Sequence, residues 1–162
     1  MTEPTAPTPA DVKRFVALQL AVTLVFALFA VLAFGRGGEP GAHWWAALAL
    51  VALVFVAGAV VSRWWAQPQS LPLDDPAPEQ TAMRRLAAHI ARAFVVLEIP
   101  LVVCAVLGVT GLIGGLVMAV AVVPALAALA FGTWPTRRNI DRFAGALERQ
   151  GADSGLRQAF GR

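Results

Sequence analysis

The chain has 162 residues, 58% of them hydrophobic and 14% charged, with a mean hydropathy of +0.68 and a formal net charge of +3. A soluble domain of this size is nearer half apolar and a quarter charged, so composition excludes an ordinary water-soluble protein. The single cysteine, Cys104, excludes an intramolecular disulfide and reads as a small buried hydrophobe in an apolar run.

Residues 1–14, MTEPTAPTPADVKR, are rich in Pro and Thr and read as a disordered cytoplasmic tail. Residues 15–34 follow without a charge and are long enough to span a bilayer. The run exceeds a signal-peptide core and no A-x-A-like site closes it, which argues for a retained span. A Gly-rich turn, 35–43, carries Arg36 and His43. The second span, 44–62, is framed by Trp44 and Trp45 at one end and Trp64 and Trp65 at the other. The pairs lie roughly 30 Å apart on a helix and predict indole anchors at both headgroup boundaries.

Residues 66–78 hold Pro68, Pro72, Pro76 and Pro78 and read as an extended loop. A third helix is expected from near Glu79. Its first turns carry Arg84, Arg85, His89 and Arg92, with Arg85, His89 and Arg92 on one face. The apolar stretch 93–131 would run roughly 58 Å as one helix, nearly twice the hydrocarbon core, so it must fold back. Gly108, Gly111, Gly114 and Gly115 mark the place, giving spans of about 90–110 and 112–132. Gly111 and Gly115 also form a GxxxG pair, but the turn accounts for them better than a helix-association face.

Trp134 marks the last exit, closing a membrane domain over 15–134. In 135–162 the apolar Ile140, Phe143 and Leu147 recur on one side of a helix, opposite Arg137, Arg138, Asp141, Arg142, Glu148 and Arg149. This segment is expected to lie as an amphipathic helix on the inner leaflet. The predicted fold is all-α: a four-helix transmembrane bundle of two helical hairpins with a short C-terminal amphipathic cytoplasmic helix.

Four spans put both termini and the 63–92 connection on one side. That side holds Lys13, Arg14, Arg63, Arg84, Arg85, Arg92, Arg137, Arg138, Arg142, Arg149, Arg157 and Arg162; Arg36 stands alone on the other. The positive-inside rule then predicts an integral protein of the cell membrane (a plasma or inner membrane) with both termini cytoplasmic.

The candidate chemistry centres on Glu98, the only acid in the third and fourth spans. An intramembrane carboxylate faces the bundle interior and is a functional candidate by default. Pro100 removes the helical donor for the Val96 carbonyl and predicts a local break. Gln19 and Thr23, four apart on the first span, reach the same depth and are expected to meet Glu98. Hydrocarbon disfavours charge, so Glu98 is expected as the neutral acid, donating as well as accepting. Gly58 falls at about that level and would allow a close backbone approach. Arg84, Arg85, His89, Arg92, Arg137, Arg138 and Arg142 are candidate contacts for anionic lipid headgroups or a cytoplasmic partner.

No phosphate loop, metal-ligand spacing or hydrolase motif occurs in the chain, so no cofactor, no metal and no enzymatic activity is expected. With one lysine and anchor-like aromatics, nucleic acid is not an expected partner. Two functions stay open. One is a non-enzymatic accessory or scaffold subunit of a membrane complex, the other a small proton- or cation-coupled transporter using Glu98. A homo-oligomer or a larger complex suits either. The layout resembles that of small multidrug-resistance exporters, which have four short spans and a membrane glutamate. In that family the acid stands in the first span, where this chain has Gln19 and Thr23, and this chain has no Tyr. The likeness is one of layout alone.

The threading is checked by labelling. Gly38→Cys and Ser70→Cys should react with a membrane-impermeant maleimide from opposite faces. Labelling of both from the cytoplasm would overturn the topology.

Overall fold

The computed structural model describes residues 6–34 and 44–161. The predicted turn 35–43, with Arg36 and His43, lies outside them, as do residues 1–5 of the tail and Arg162. Among the described residues the regular elements are all helical: α1 (Pro9–Phe34), α2 (Trp44–Trp64), α3 (Pro78–Val109), α4 (Gly115–Thr133), α5 (Arg137–Leu147) and α6 (Leu156–Ala159). α1 to α4 are each long and apolar enough to cross a membrane. The chain is a small membrane protein built as an all-α four-helix bundle.

α1 starts six residues before the apolar run, so 9–14 are helical rather than part of a disordered tail. The cause is a capping box. The Thr8 hydroxyl accepts from the Asp11 amide at 3.2 Å, and the Asp11 carboxylate accepts from the Thr8 amide at 2.9 Å. Pro9, which has no N–H to lose, fills the first helical position.

α3 and α4 form the predicted hairpin and pack on each other. α1 and α2 flank that pair, each packed on both members. The turn is a Schellman motif. Gly111 takes a φ of +71°, its N–H donates to Gly108 O, and Leu112 N–H donates to Leu107 O, both at 3.0 Å. Gly111 is thus spent on a left-handed backbone that a side chain would strain, while Gly115 opens α4. α3 runs on past Pro100 as one helix, so the break expected there is confined to one missing donor.

α3 has 32 residues, about 48 Å at 1.5 Å each. A crossing takes about 20 residues. Counting back from Val109 puts the lipid boundary near Ile90 and leaves 78–89 outside. That overhang carries its own apolar stripe, Ala82, Met83 and Leu86, and needs a cover. α5 supplies it. Ile140, Phe143, Ala144 and Leu147 are buried in one core with the overhang, with Val12 and Val16 of α1, and with Leu71 and Leu156. α5 therefore does not lay its apolar face on a leaflet. The stripe seen in the sequence is consumed inside the protein, because the overhang offers a matching face at shorter range than lipid does. Together these segments form a cap on the end of the bundle that carries both termini, hereafter the terminal face.

Trp65 departs from the interfacial pattern for the same reason. Trp44 and Trp45 are 64% and 60% exposed, as anchors would be, whereas Trp65 is 2% exposed. Its Nε1 donates to Gly132 O at 2.8 Å, which ties the end of α2 to the end of α4. A Cβ on Gly132 would stand 2.7 Å from Leu97 Cδ1, so a glycine there lets α4 sit close on α3.

Phe143→Asp should open the cap rather than merely weaken a membrane contact. Removing a large buried ring costs about 3–5 kcal/mol before the unpaired carboxylate is counted. Limited proteolysis of the full chain in detergent should then cut within 135–161. A variant that stays resistant while losing only vesicle association would restore the surface-helix reading.

Candidate functional site

Glu98 lies on α3 about 12 Å past Ile90, at 1.5 Å per residue. Its Oε1 accepts from Gln19 Nε2 at 3.1 Å and from Thr23 Oγ1 at 2.8 Å. The three side chains therefore meet across the α1–α3 seam, between the core under the cap and a second core around Leu101, Cys104, Met118 and Ala125. Thr23 is buried, while Gln19 and Glu98 are half-buried. The arrangement differs from the expectation in one respect. Both neighbours donate, and to one oxygen, so the carboxyl serves each as an acceptor. Pro100, two residues on, is buried in the helix interior and does not join the cluster.

The reason α1 uses polar contacts is its composition. Leu18, Val22, Val25, Phe29 and Leu32 all point outward. Between helices in lipid, apolar surface gives no net drive to associate, because the alternative neighbour is equally apolar. Hydrogen bonds across the seam, worth about 0.6–2 kcal/mol each in membranes, fix the rotation and register of α1.

The basic candidates divide. Arg85, His89 and Arg92 do share one face, and they line a cleft of about 540 Å³ with Trp64, Gln69 and Phe143. Arg85 is not a free headgroup ligand, however. Its Nη1 donates to Gln69 O at 2.6 Å and Ser70 O at 3.2 Å, holding the loop after α2. Arg149 Nη2 holds the same loop through Ala66 O at 2.7 Å, and Leu71 N–H donates to Leu147 O at 2.8 Å. His89 is likewise structural. Its ring stands edge-on to Trp65, with centroids 4.5 Å apart, and lies 5.1 Å from the Phe143 ring. Arg84 is exposed on another face of α3, outside this cleft.

Arg137, Arg138 and Arg142 are exposed on the outer side of α5. Arg137 stands 4.0 Å from Asp141, a surface pair worth little. Arg138 and Arg142 line a second cleft, about 310 Å³, between α2 and α4. Gly58 lines it too. Among the described residues a Cβ on Gly58 would meet nothing within 4 Å, so the expected close backbone approach does not occur there and the glycine faces open space. The sequence reading missed this cleft. Its signal was present in the small residues Gly58, Ser62, Ala128 and Gly132, but which helix would face which was not legible. Among the described residues no three His, Cys, Asp or Glu side chains gather where a metal could sit.

His89 lies outside the membrane-spanning part of α3, and its Nε2 is buried without a hydrogen-bond partner among the described residues. Burial pushes its imidazole down to about 4 from the usual 6.5, and the neighbouring Arg92 charge adds to this. The unfolded chain then binds the proton first, so the stability that His89 gives the cap is complete above about pH 6.5 and is lost towards pH 4. The thermal midpoint in detergent should fall over that window, and His89→Phe should flatten the fall. An equal slope in both proteins would remove His89 from the account.

No family model, no curated protein and no solved structure matches this chain.

Proposed function

We propose that this protein is a non-enzymatic accessory or scaffold subunit of a membrane complex, with its terminal face in the cytoplasm of a cell against anionic headgroups. The observation that carries the reading is the use made of Glu98. The one carboxylate of the third span is taken up by Gln19 and Thr23 of α1. It works as a clasp between helices. The clefts described above open elsewhere, at the terminal end of the bundle and on the cap. The cap offers partners a folded surface with Arg137, Arg138 and Arg142 outward. The positive-inside bias supports the orientation, and the same bias draws an anionic leaflet towards that surface.

The second reading, a proton- or cation-coupled transporter, is favoured by one feature: Glu98 is half-buried rather than sealed. Glu98→Gln separates the two. The amide oxygen can still accept from Gln19 and Thr23, but the side chain cannot ionise. For an accessory subunit, the variant should purify in mild detergent after crosslinking with the same partner proteins as the unaltered chain, and with an unfolding free energy within about 1 kcal/mol of it. A variant that assembles normally yet abolishes proton or cation uptake in proteoliposomes would establish the transporter instead.

A further inference from the structure

The cleft between α2 and α4 has a vertical order that neither surface charge nor helix packing explains. Arg138 and Arg142 stand at its mouth, one turn apart on α5. Below them the walls are Gly58 and Ser62 of α2 and Ala128 and Gly132 of α4. Among the described residues no carboxylate lines it. Asp141, which shares a neighbouring groove with the two arginines, is paired with Arg137 at 4.0 Å and Arg157 at 3.9 Å, and the polar groups that do line the cleft are already bonded. Asn139 Nδ2 donates to Phe131 O at 3.3 Å and Trp134 O at 3.0 Å, closing the end of α4. The Trp65 indole is spent on Gly132 O.

Depth assigns the two parts to different media. Trp64 and Trp134 end α2 and begin the exit from α4, both partly exposed, and mark the headgroup boundary on the terminal face. Gly58 and Ala128 each precede their tryptophan by six residues, about 9 Å into the hydrocarbon. The cationic mouth is thus level with phosphates and the small-residue floor is level with acyl chains. The space beside Gly58 is open for at least 4 Å where a Cβ would point. A free phosphate would use only the mouth. A molecule with an anionic head and an apolar tail uses both.

We propose that this cleft binds one anionic phospholipid of the adjoining leaflet, with its phosphate on Arg138 and Arg142 and the start of an acyl chain along Gly58 and Ala128. This deepens the headgroup contact proposed above for these arginines and rests on it. The lipid would wedge between α2 and α4 beneath the cap, joining the cap to the membrane at a defined point.

The test exploits the fact that the floor carries no charge. Gly58→Leu fills the cleft and leaves every cation in place, and the open space at Gly58 lets the variant fold. The full chain is reconstituted with phosphatidylglycerol and phosphatidylcholine in equal amounts, and retained lipid is counted by native mass spectrometry from detergent. The unaltered protein should retain one phosphatidylglycerol in preference. Gly58→Leu should lower that retention roughly tenfold, and Arg138→Gln with Arg142→Gln should abolish the preference for the anionic lipid. Val56→Leu, on an exposed face of the same helix, should change nothing. Normal retention in Gly58→Leu, with loss in the arginine variant, would overturn the cleft and leave only general surface attraction. No preference in the unaltered protein would overturn both the cleft and the headgroup contact. Inorganic phosphate that displaces the lipid, and binds Gly58→Leu equally well, would make the mouth a phosphate site and overturn the lipid.

Discussion

The organising constraint is a mismatch of lengths. α3 is 32 residues long, and a bilayer needs about 20. The excess turns emerge with an apolar stripe that water will not tolerate uncovered. Everything on the terminal face follows from covering it. α1 reaches back past the lipid to place Val12 and Val16 on it, and α5 spends its whole apolar face there. The loop after α2 is drawn over the remainder by Arg85, Arg149 and the Leu71 backbone. The C-terminal turn is locked down by Glu148, which accepts from Ser154 Oγ at 2.6 Å and from Arg157. A four-span protein with a shorter third helix would have no reason to build a cap.

Inside the membrane the logic reverses. There, burying an apolar face brings nothing that lipid does not also provide, so helix positions are set by turns, close approaches and hydrogen bonds. α3 and α4 are joined by a tight glycine turn, and α2 is tied to α4 by the Trp65 indole. α1 has a long outward surface of large apolar residues and is set against α3 by Glu98, Gln19 and Thr23. The acid is costly to insert, and the two donors on α1 offset that cost. They also make the α1–α3 register specific, because a shift of one residue would turn both donors away from the carboxyl.

What was legible in the sequence follows from these two regimes. Span number, the hairpin over 93–131 and the meeting of Glu98 with Gln19 and Thr23 were readable, since apolar length, glycine placement and depth from a common boundary are one-dimensional quantities. The cap was not. Its formation depends on α5 finding the α3 overhang, a contact between segments about sixty residues apart. Composition reports that Phe143 and Leu147 need burial without saying what buries them. Trp65 shows the same limit beside Trp64. The two are adjacent and identical, and only the direction of one helix face sends the first into a core and leaves the second at the boundary. The start of α1 failed for a local reason: a Thr8–Asp11 capping box outweighs a Pro-rich, polar composition.

Charge shows most sharply why a count is not a site. The terminal face is rich in arginine, and a sequence reading treats these residues as equivalent contributors to orientation. The fold assigns them different partners. Arg85 and Arg149 are drawn to backbone carbonyls that the loop cannot pair for itself, and Arg157 is drawn to Glu148. Arg138 and Arg142 are carried outward by the very packing that buries Ile140 and Phe143, because residues on the two sides of one helix cannot both face the core. The burial of α5 against α3 is therefore what aims these two cations at the mouth of the α2–α4 cleft. Had the helix lain on the leaflet with its apolar face down, they would have pointed into water, away from that cleft.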